Sequence, residues 1–322
     1  MRIKKLFASL FCLSALILAS ACSVSCSGEV SEISVMNWNL ETFFDGEFDG
    51  NEYSEFKSGK SGWSRDKYKV RLERAASVIK ALDCDVVVVE ELEKKEQLQD
   101  FRNFLSGTFD FSKVYRHVFF AAEEGASIGC GILSRLPIEN VSVHSISVSG
   151  KSGQPSMRPI IKATFSLDGK KLDLFVNHWK SKSGGAEESE CWRDRQEEQL
   201  SRLIAGSLEE GHGVLACGDF NRSIEEFKYE KEGESNVVLK GGARVRSPWF
   251  DENGGLSPVG SYWYDGKWEY IDNFFSAAAT IGDFKCHDSG EWCDSQGHPL
   301  RYKVFSGKGY SDHLPITCRV SL

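Results

Sequence analysis

The stretch Val214-Leu215-Ala216-Cys217-Gly218-Asp219-Phe220-Asn221 decides how this chain is read. Its short apolar run is of the kind that fills a buried strand, and the run stops at a glycine. Asp219 and Asn221 then stand two residues apart, so an extended chain turns both side chains to one face. A core strand seldom ends in a carboxylate and a carboxamide aimed the same way. The pair either caps a turn or faces a site that needs an acceptor beside a donor. Taken alone, the stretch favours the turn, and the rest of the chain has to decide.

The 322 residues are 41% hydrophobic and 27% charged, a globular composition with enough apolar material for one large core or two modest ones. No internal repeat and no long low-complexity linker interrupts it. The N-terminus reads as an address rather than as fold. Arg2, Lys4 and Lys5 precede an apolar segment, Leu6 to Leu18, which is too short to span a bilayer comfortably. Leu18-Ala19-Ser20-Ala21-Cys22 resembles a relaxed bacterial lipobox, with Cys22 as the lipidated residue and Cys26 as the alternative. Residues 1–21 are therefore expected to be a lipoprotein-type signal peptide, 22–32 a tether and 33–322 the folded domain. The expected product is an exported monomer anchored by lipid to a membrane, periplasmic or at the cell surface.

Loss of the three basic residues takes the formal charge from −8 to −11. Such an acidic surface offers no general attraction to nucleic acid or anionic membrane. It excludes neither as a substrate, because a local basic rim or a metal ion can do that work. Of ten cysteines, Cys84, Cys130, Cys217 and Cys318 lie in or beside apolar runs and read as small buried hydrophobes. Cys286 and Cys293, in a polar loop with a glycine, are the one pair placed for a disulfide. Paired C-x-x-C metal motifs are absent.

In chain order, Ile33 to Asn39 reads as a first strand, and Asp45 to Ser61 as an acidic loop. Ser64 is placed to cap a helix from Arg65, whose Leu72, Ala75, Ala76, Ile79 and Leu82 form one apolar stripe. Asp85-Val86-Val87-Val88-Val89-Glu90-Glu91 lacks alternation, as in a strand buried on both faces. Tyr115–Phe120, Gly129–Leu133, Val141–Val148, Ile160–Leu167 and Lys171–His178 read as further strands. A second amphipathic helix carries Trp192, Leu200, Leu203, Ile204 and Leu208, and Gly211 stops it. Residues 222–258 look like an insertion or surface loops. Tyr270 to Phe275 is a strand with Asp272 inside it, and Leu314, Ile316, Cys318 and Val320 mark the last one, with Asp312 and His313 at its entry.

Asn39, Glu91, His178, Asp219, Asn221, Asp272, Asp312 and His313 thus all fall at or near strand termini. A packed sheet collects such termini on one rim, where sites gather. Carboxylates beside apolar runs are expensive unless a cation or a histidine partners them. Glu91, Asn39 and Asp312 offer oxygen donors, which suit Mg²⁺ or Mn²⁺ better than zinc. Two histidines near carboxylates suit acid/base work or phosphate contact. Each residue has a plain structural alternative, a solvated loop glutamate or a satisfied core histidine; eight such coincidences are far less economical.

The ordered set Trp38-Asn39, Val87 to Glu91, Asn177-His178, Gly218 to Asn221, Tyr270-Ile271-Asp272 and Ser311-Asp312-His313 resembles the endonuclease/exonuclease/phosphatase superfamily, the deoxyribonuclease I-like Mg²⁺-dependent phosphoesterases. The resemblance runs from about Ile33 to Val320 and is nearest the secreted bacterial branch. It implies an α+β, four-layer sandwich: two mixed sheets face to face, flanked by helices. It implies metal ligation by Glu91 with Asn39 and Asp312, and water orientation by Asp219. Asn221 would hold a phosphate oxygen, and Asp272 would orient His313 toward the phosphate. His178 would be a second histidine, an argument against the abasic-site repair branch, and Arg158 would add charge toward the phosphate. Glu90 departs from the glutamine common before the ligand glutamate, and Asn273 from a common histidine.

The expected function is a Mg²⁺- or Mn²⁺-dependent phosphodiesterase, foremost an exported nuclease acting on DNA or RNA by in-line attack of water. The alternatives are a sphingomyelinase-type phospholipase, a phosphomonoesterase and, in another class, a non-catalytic surface binding protein. A phospholipase would expose an aromatic hairpin to the bilayer, for which Ser247 to Phe250 and Gly260 to Tyr264 are candidates.

Overall fold

The computed structural model describes residues 31–146, 154–230 and 236–322. The expected signal segment, Cys22, Cys26 and most of the tether lie outside the described residues. Glu32, assigned to the tether, already opens the first strand.

The eleven strands of the two main sheets are β1 (Glu32–Phe43), β2 (Val86–Leu92), β3 (His117–Ala121), β4 (Gly129–Ser134), β5 (Asn140–His144), β6 (Ile160–Leu167), β7 (Lys170–His178), β8 (Gly213–Asp219), β9 (Asp272–Ala277), β10 (Thr280–Cys286) and β11 (Ile316–Ser321). The principal helices are α1 (Arg65–Leu82), α2 (Glu96–Ser106) and α3 (Ala186–Glu209). One sheet has the order β10-β11-β1-β2-β4-β3, the other β9-β8-β7-β6-β5. Each is mixed, with one parallel pair at its heart: β1 with β2, and β7 with β8. This is the expected deoxyribonuclease I-like sandwich.

The valine run explains the layering. Val86 and Val88 join the core between the sheets, beside Phe165, Leu174, Val176 and Ala216. Val87 and Val89 face the other way, onto α1 and α2 through Leu72, Ala76, Ile79, Leu98 and Phe101. Period two divides one apolar run between two cores. On the outside of the second sheet, Leu200 and Ile204 of α3 close the fourth layer. Ser64 caps α1 as expected, its side chain accepting from the Lys67 amide.

Several boundaries moved. β1 continues four residues past Asn39, and the strand from Val141 ends at His144, with 147–153 outside the described residues. Sequence reading missed helix α2, although its Leu98, Phe101 and Leu105 keep helical spacing, and strand β10, whose residues are all exposed or half-buried. The largest correction concerns 222–258. Ile224, Phe227, Val237, Leu239, Val245 and Trp249 are buried in the main core, so the described part of this segment is covering rather than loop. Its apolar residues are spread among charged ones, and tertiary packing alone gathers them. Cys286 and Cys293 are separate thiols directed at the Gly260 and His287 carbonyls, not a disulfide. Cys84, Cys130, Cys217 and Cys318 are buried, as read.

Gly218 sits where β8 pairs in parallel with β7, opposite Asn177, at φ +144°. A Cβ there would lie 1.9 Å from the Asn177 carbonyl oxygen, which is backbone and cannot yield. Gly218→Ala therefore combines strain with overpacking, and should cost about 3 kcal/mol in urea unfolding. A change under about 0.5 kcal/mol, the range of neutral surface substitutions, would contradict this reading.

Candidate active site

Because β1 and β2 run parallel, and β7 and β8 likewise, their C-terminal ends share one rim of the sandwich. β9 is antiparallel to β8 and pairs Asp272 with Asp219, so it brings its first residue to the same place. The turn entering β11 delivers Asp312 and His313; the Trp38 indole donates to the His313 carbonyl (2.9 Å), and the Ser311 hydroxyl to the Asn39 carbonyl (2.6 Å). Chain segments separated by up to 275 residues in sequence are thereby locked together.

Past Asn39 the backbone turns through left-handed conformations at Glu41 (φ 53°) and Thr42 (φ 48°), where non-glycine residues are strained. A fully buried guanidinium, Arg71 of α1, holds this kink by donating to the Leu40, Glu41 and Thr42 carbonyls. The Arg71 guanidinium stacks over Tyr302 at 3.7 Å. The kink aims the Thr42 amide at Glu91 Oε2 (2.5 Å), while Asn39 Nδ2 donates to Glu91 Oε1 (3.1 Å) and to Asp219 Oδ2 (3.0 Å). Glu91 is itself at φ 66°. Asn39 thus turns its nitrogen to both carboxylates, and its oxygen accepts from the Glu41 amide.

Asp219 is the hub. Its Oδ1 accepts from the Asn221 amide (2.8 Å) and its Oδ2 from Asn221 Nδ2 (3.1 Å). The same Oδ2 lies 3.7 Å from His178 Nε2 and 4.0 Å from His313 Nε2. Burial, with Asp272 and Glu91 adding to it against His313, pushes the Asp219 carboxyl up to about 7. The two histidines are set in opposite states. Burial, then Arg158 and His313, hold the His178 pKa well below the usual range, and Arg158 donates to its Nε2 at 2.7 Å. Burial also opposes a charge on His313, but Asp272, at 2.8 Å from Nδ1, with Asp219 and Asp312, more than offsets it and raises its pKa well above the usual range. His178 is a neutral acceptor and His313 an imidazolium donor.

These groups open into a cleft of about 530 Å³, lined by Glu91, His178, Asp219, Asn221, Asp312 and His313 together with Glu41, Lys182, Tyr262, Tyr264 and Arg301. All eight strand-end residues read from the sequence therefore belong to one site, with Asp272 behind His313 and Arg158 behind His178. Sequence reasoning missed Glu41, Arg71 and Arg301. Glu41, buried and paired with Arg301, is pushed up to about 7 by burial and by Asp312. Arg71 did carry a signal: it lies on the α1 stripe of Tyr68, Leu72 and Ala75, an arginine where a hydrophobe belongs.

The donor set fits a hard divalent cation. Glu91 and Asp312 supply carboxylate oxygens on one cleft, and Glu41 and Asp219 add acid there beyond what the nearby cations neutralise. Elsewhere, Asp173, Glu210 and His212 bring three ligand atoms within 4.8 Å of one another. This group lies at the far end of β7, and Lys162 Nζ already stands 2.9 Å from Asp173, so an ammonium takes the cation's place.

The family described as Endonuclease/Exonuclease/phosphatase matches residues 34–321. Over 165 residues the chain is 30% identical to an inositol phosphosphingolipids phospholipase C of Schizosaccharomyces pombe, an alignment covering 48% of this chain and 37% of that protein. The chain thus spans little more than a third of that relative's length. Among solved structures, truncated Caenorhabditis elegans TDP2 superimposes with a TM-score of 0.58 at 17% identity, over 90% of this chain and 98% of that one. ANGEL2, titled a 2',3'-cyclic phosphatase, gives 0.58 at 13% identity, over 90% and 95%.

The opposed states of the histidines rest on their neighbours, which is directly testable. Asp272→Asn removes the chief attraction and leaves burial opposed only by Asp219 and Asp312, so the His313 pKa should fall from its raised position toward the ordinary histidine range. Titration of the imidazole by NMR reads this; an unmoved His313 would contradict the assignment.

Proposed function

The chain belongs to the endonuclease/exonuclease/phosphatase family, phosphoester hydrolases of phosphodiesterase and phosphatase type, and from that premise we propose that it is a metal-dependent phosphodiesterase that cuts nucleic acid by in-line attack of water. The observation that carries the reading is the hub at Asp219. One carboxylate within 4.0 Å of two histidines in opposite states, and braced by Asn39 and Asn221, is what water attack on a diester needs.

Glu91, braced by Asn39, and Asp312 are the residues that would hold the cation. When bound, Mg²⁺ or Mn²⁺ neutralises charge on the phosphoryl oxygens and assists the leaving oxygen. The chain's own residues do the rest. Asp219 Oδ2 holds the attacking water and draws on its proton. His313, kept cationic by Asp272, donates to a non-bridging phosphate oxygen. Asn221 reaches a second phosphate oxygen by releasing one of the two acceptors its nitrogen serves at rest, the Trp179 carbonyl and Asp219 Oδ2 (3.1 Å each). His178 is held by Arg158, which donates to its Nε2 and to the Trp179 carbonyl and adds positive charge behind the cleft. Ser181 and Ser183 line the cleft, but their partner is Lys180 rather than a histidine or carboxylate base, which supports direct attack without a covalent intermediate.

Nucleic acid is favoured as substrate by the aromatic hairpin. Trp249 is fully buried, so Ser247 to Phe250 is no docking element. Trp263 stacks on His298 at 4.0 Å and meets Trp268 at 5.0 Å, so the indoles are spent on packing rather than offered to a bilayer. The second reading, a phosphosphingolipid phospholipase C, is supported by the 30% identity to the fission-yeast enzyme. The lipobox-like Leu18 to Cys22 supports export and lipid anchoring for either.

The purified protein should hydrolyse single-stranded DNA or RNA with Mg²⁺ or Mn²⁺, stop with EDTA and recover when the ion is restored. Asp219→Ala and Glu91→Gln should each lower kcat by about 10²–10⁴-fold, the range for losing a positioned acid/base or charge-stabilising group. Diester cleavage that survives Asp219→Ala would remove the mechanism. Turnover of sphingomyelin with none of nucleic acid would move the assignment to the second reading.

A further inference from the structure

Residues Tyr262–Tyr264 and Lys267–Glu269 form a two-stranded hairpin with Asp265 and Gly266 at its tip. Both tip residues have positive φ, 49° and 77°, the pattern of the tight two-residue turn that Asp-Gly favours. The hairpin is rooted at the catalytic histidine: Tyr262 bridges His313, and the Leu314 amide donates to the Ser261 carbonyl (2.7 Å). Alternation along Tyr262-Trp263-Tyr264 sends the two tyrosines to one face and the indole to the other. The indole face is anchored, because Trp263 stacks on His298, which Asp294 holds at 3.2 Å. The tyrosine face lines the cleft.

On that face the rings form a ladder. The Tyr262 ring lies 4.7 Å from the His313 ring, and the Tyr264 ring lies 6.0 Å beyond, within 10° of parallel to Tyr262. Tyr264 remains 59% exposed at the mouth, which leaves a broad ring surface open on a rigid mount. The ladder therefore leads from the histidine that faces the scissile phosphate to an unfilled aromatic place. Lys182, paired with Glu226 at 2.8 Å, and Arg301, paired with Glu41, border the same cleft as cations for a phosphate backbone.

We propose that Tyr262 and Tyr264 form a stacking platform for the base of the nucleotide that flanks the scissile phosphate, so that the cleft selects strands bearing bases over base-less polyphosphodiesters. The inference rests on the nucleic-acid reading and sharpens it. Every base has a π-face, so the platform confers a requirement for a base without a preference among sequences. Tyr264 acts here as a specificity residue: it bears on substrate placement and not on the proton transfers at Asp219 and His313.

The test compares a ten-residue thymidine strand with base-less poly(deoxyribose phosphate) of equal length and charge, using the full-length protein with Mg²⁺. Wild type should show kcat/KM about tenfold higher for the thymidine strand, the scale of losing one base–aromatic stack. Tyr264→Ala should bring that ratio close to one, and Tyr264→Phe, which keeps the ring, should preserve it. Binding of a 2-aminopurine strand to the Asp219→Ala protein should quench its fluorescence, and the Tyr264→Ala, Asp219→Ala double variant should relieve the quenching. Equal cleavage of both polymers by wild type, or a ratio unmoved by Tyr264→Ala, overturns the platform alone. Failure of wild type to cut either polymer overturns the nucleic-acid reading, and the platform falls with it.

Discussion

The rest of the site depends on one buried guanidinium. Arg71 caps three successive carbonyls where β1 leaves its ladder, and so holds two non-glycine residues in conformations they would otherwise avoid. Without the kink, Thr42 could not point its amide at Glu91, and β1 and β2 could not stay paired on both sides of the shift between Asn39 and Phe43. Burying an arginine is expensive unless its donors are satisfied and its charge is answered. Three carbonyls take the Nη donors. The faces of Tyr302 and Phe43 with the field of Glu41, Glu91 and Asp312 offset part of the cost, while Nε is buried with no hydrogen-bond partner among the described residues. The helix layer therefore fixes the position of a glutamate at the end of β2.

The electrostatics follow the same economy. Burial disfavours a charge on both histidines, and what separates them is whether acid or a cation stands beside the ring. His178 meets a cation, Arg158, and stays neutral; His313 meets Asp272 and stays charged. Two residues of one type in one site hold different protonation states because different strands bring their neighbours. The two aromatic faces of the Tyr262–Glu269 hairpin show a similar division, with the indoles used for anchoring and the phenols left to the cleft.

Much of this was legible in the chain. The valine run of β2, the Ser64 cap, and the polar ends at Asp219 and His313 all express local rules of period, capping and burial cost. The parts that stayed hidden share a feature: their signals are distributed. Between Arg222 and Pro258 the buried residues are scattered among charges, so no window of sequence carries their periodicity. Strand β10 alternates weakly because it is an edge strand with one side open to water. Glu41 and Arg301 are 260 positions apart, and neither is unusual until the other is beside it.

The sequence by itself determined which residue types stand at the strand ends, and hence that oxygen donors, histidines and amides would gather on one rim, since parallel strands in a packed sheet must end together. Only the tertiary structure decided the orientation and charge of each group: that Asn39 turns its nitrogen to Glu91 and Asp219, that one histidine is neutral and the other cationic, and which face of an aromatic hairpin meets the cleft. Those outcomes depend on distances of a few ångströms between segments far apart in the chain. Electrostatic and hydrogen-bonding terms change steeply over such distances. Local periodicity carries no record of them.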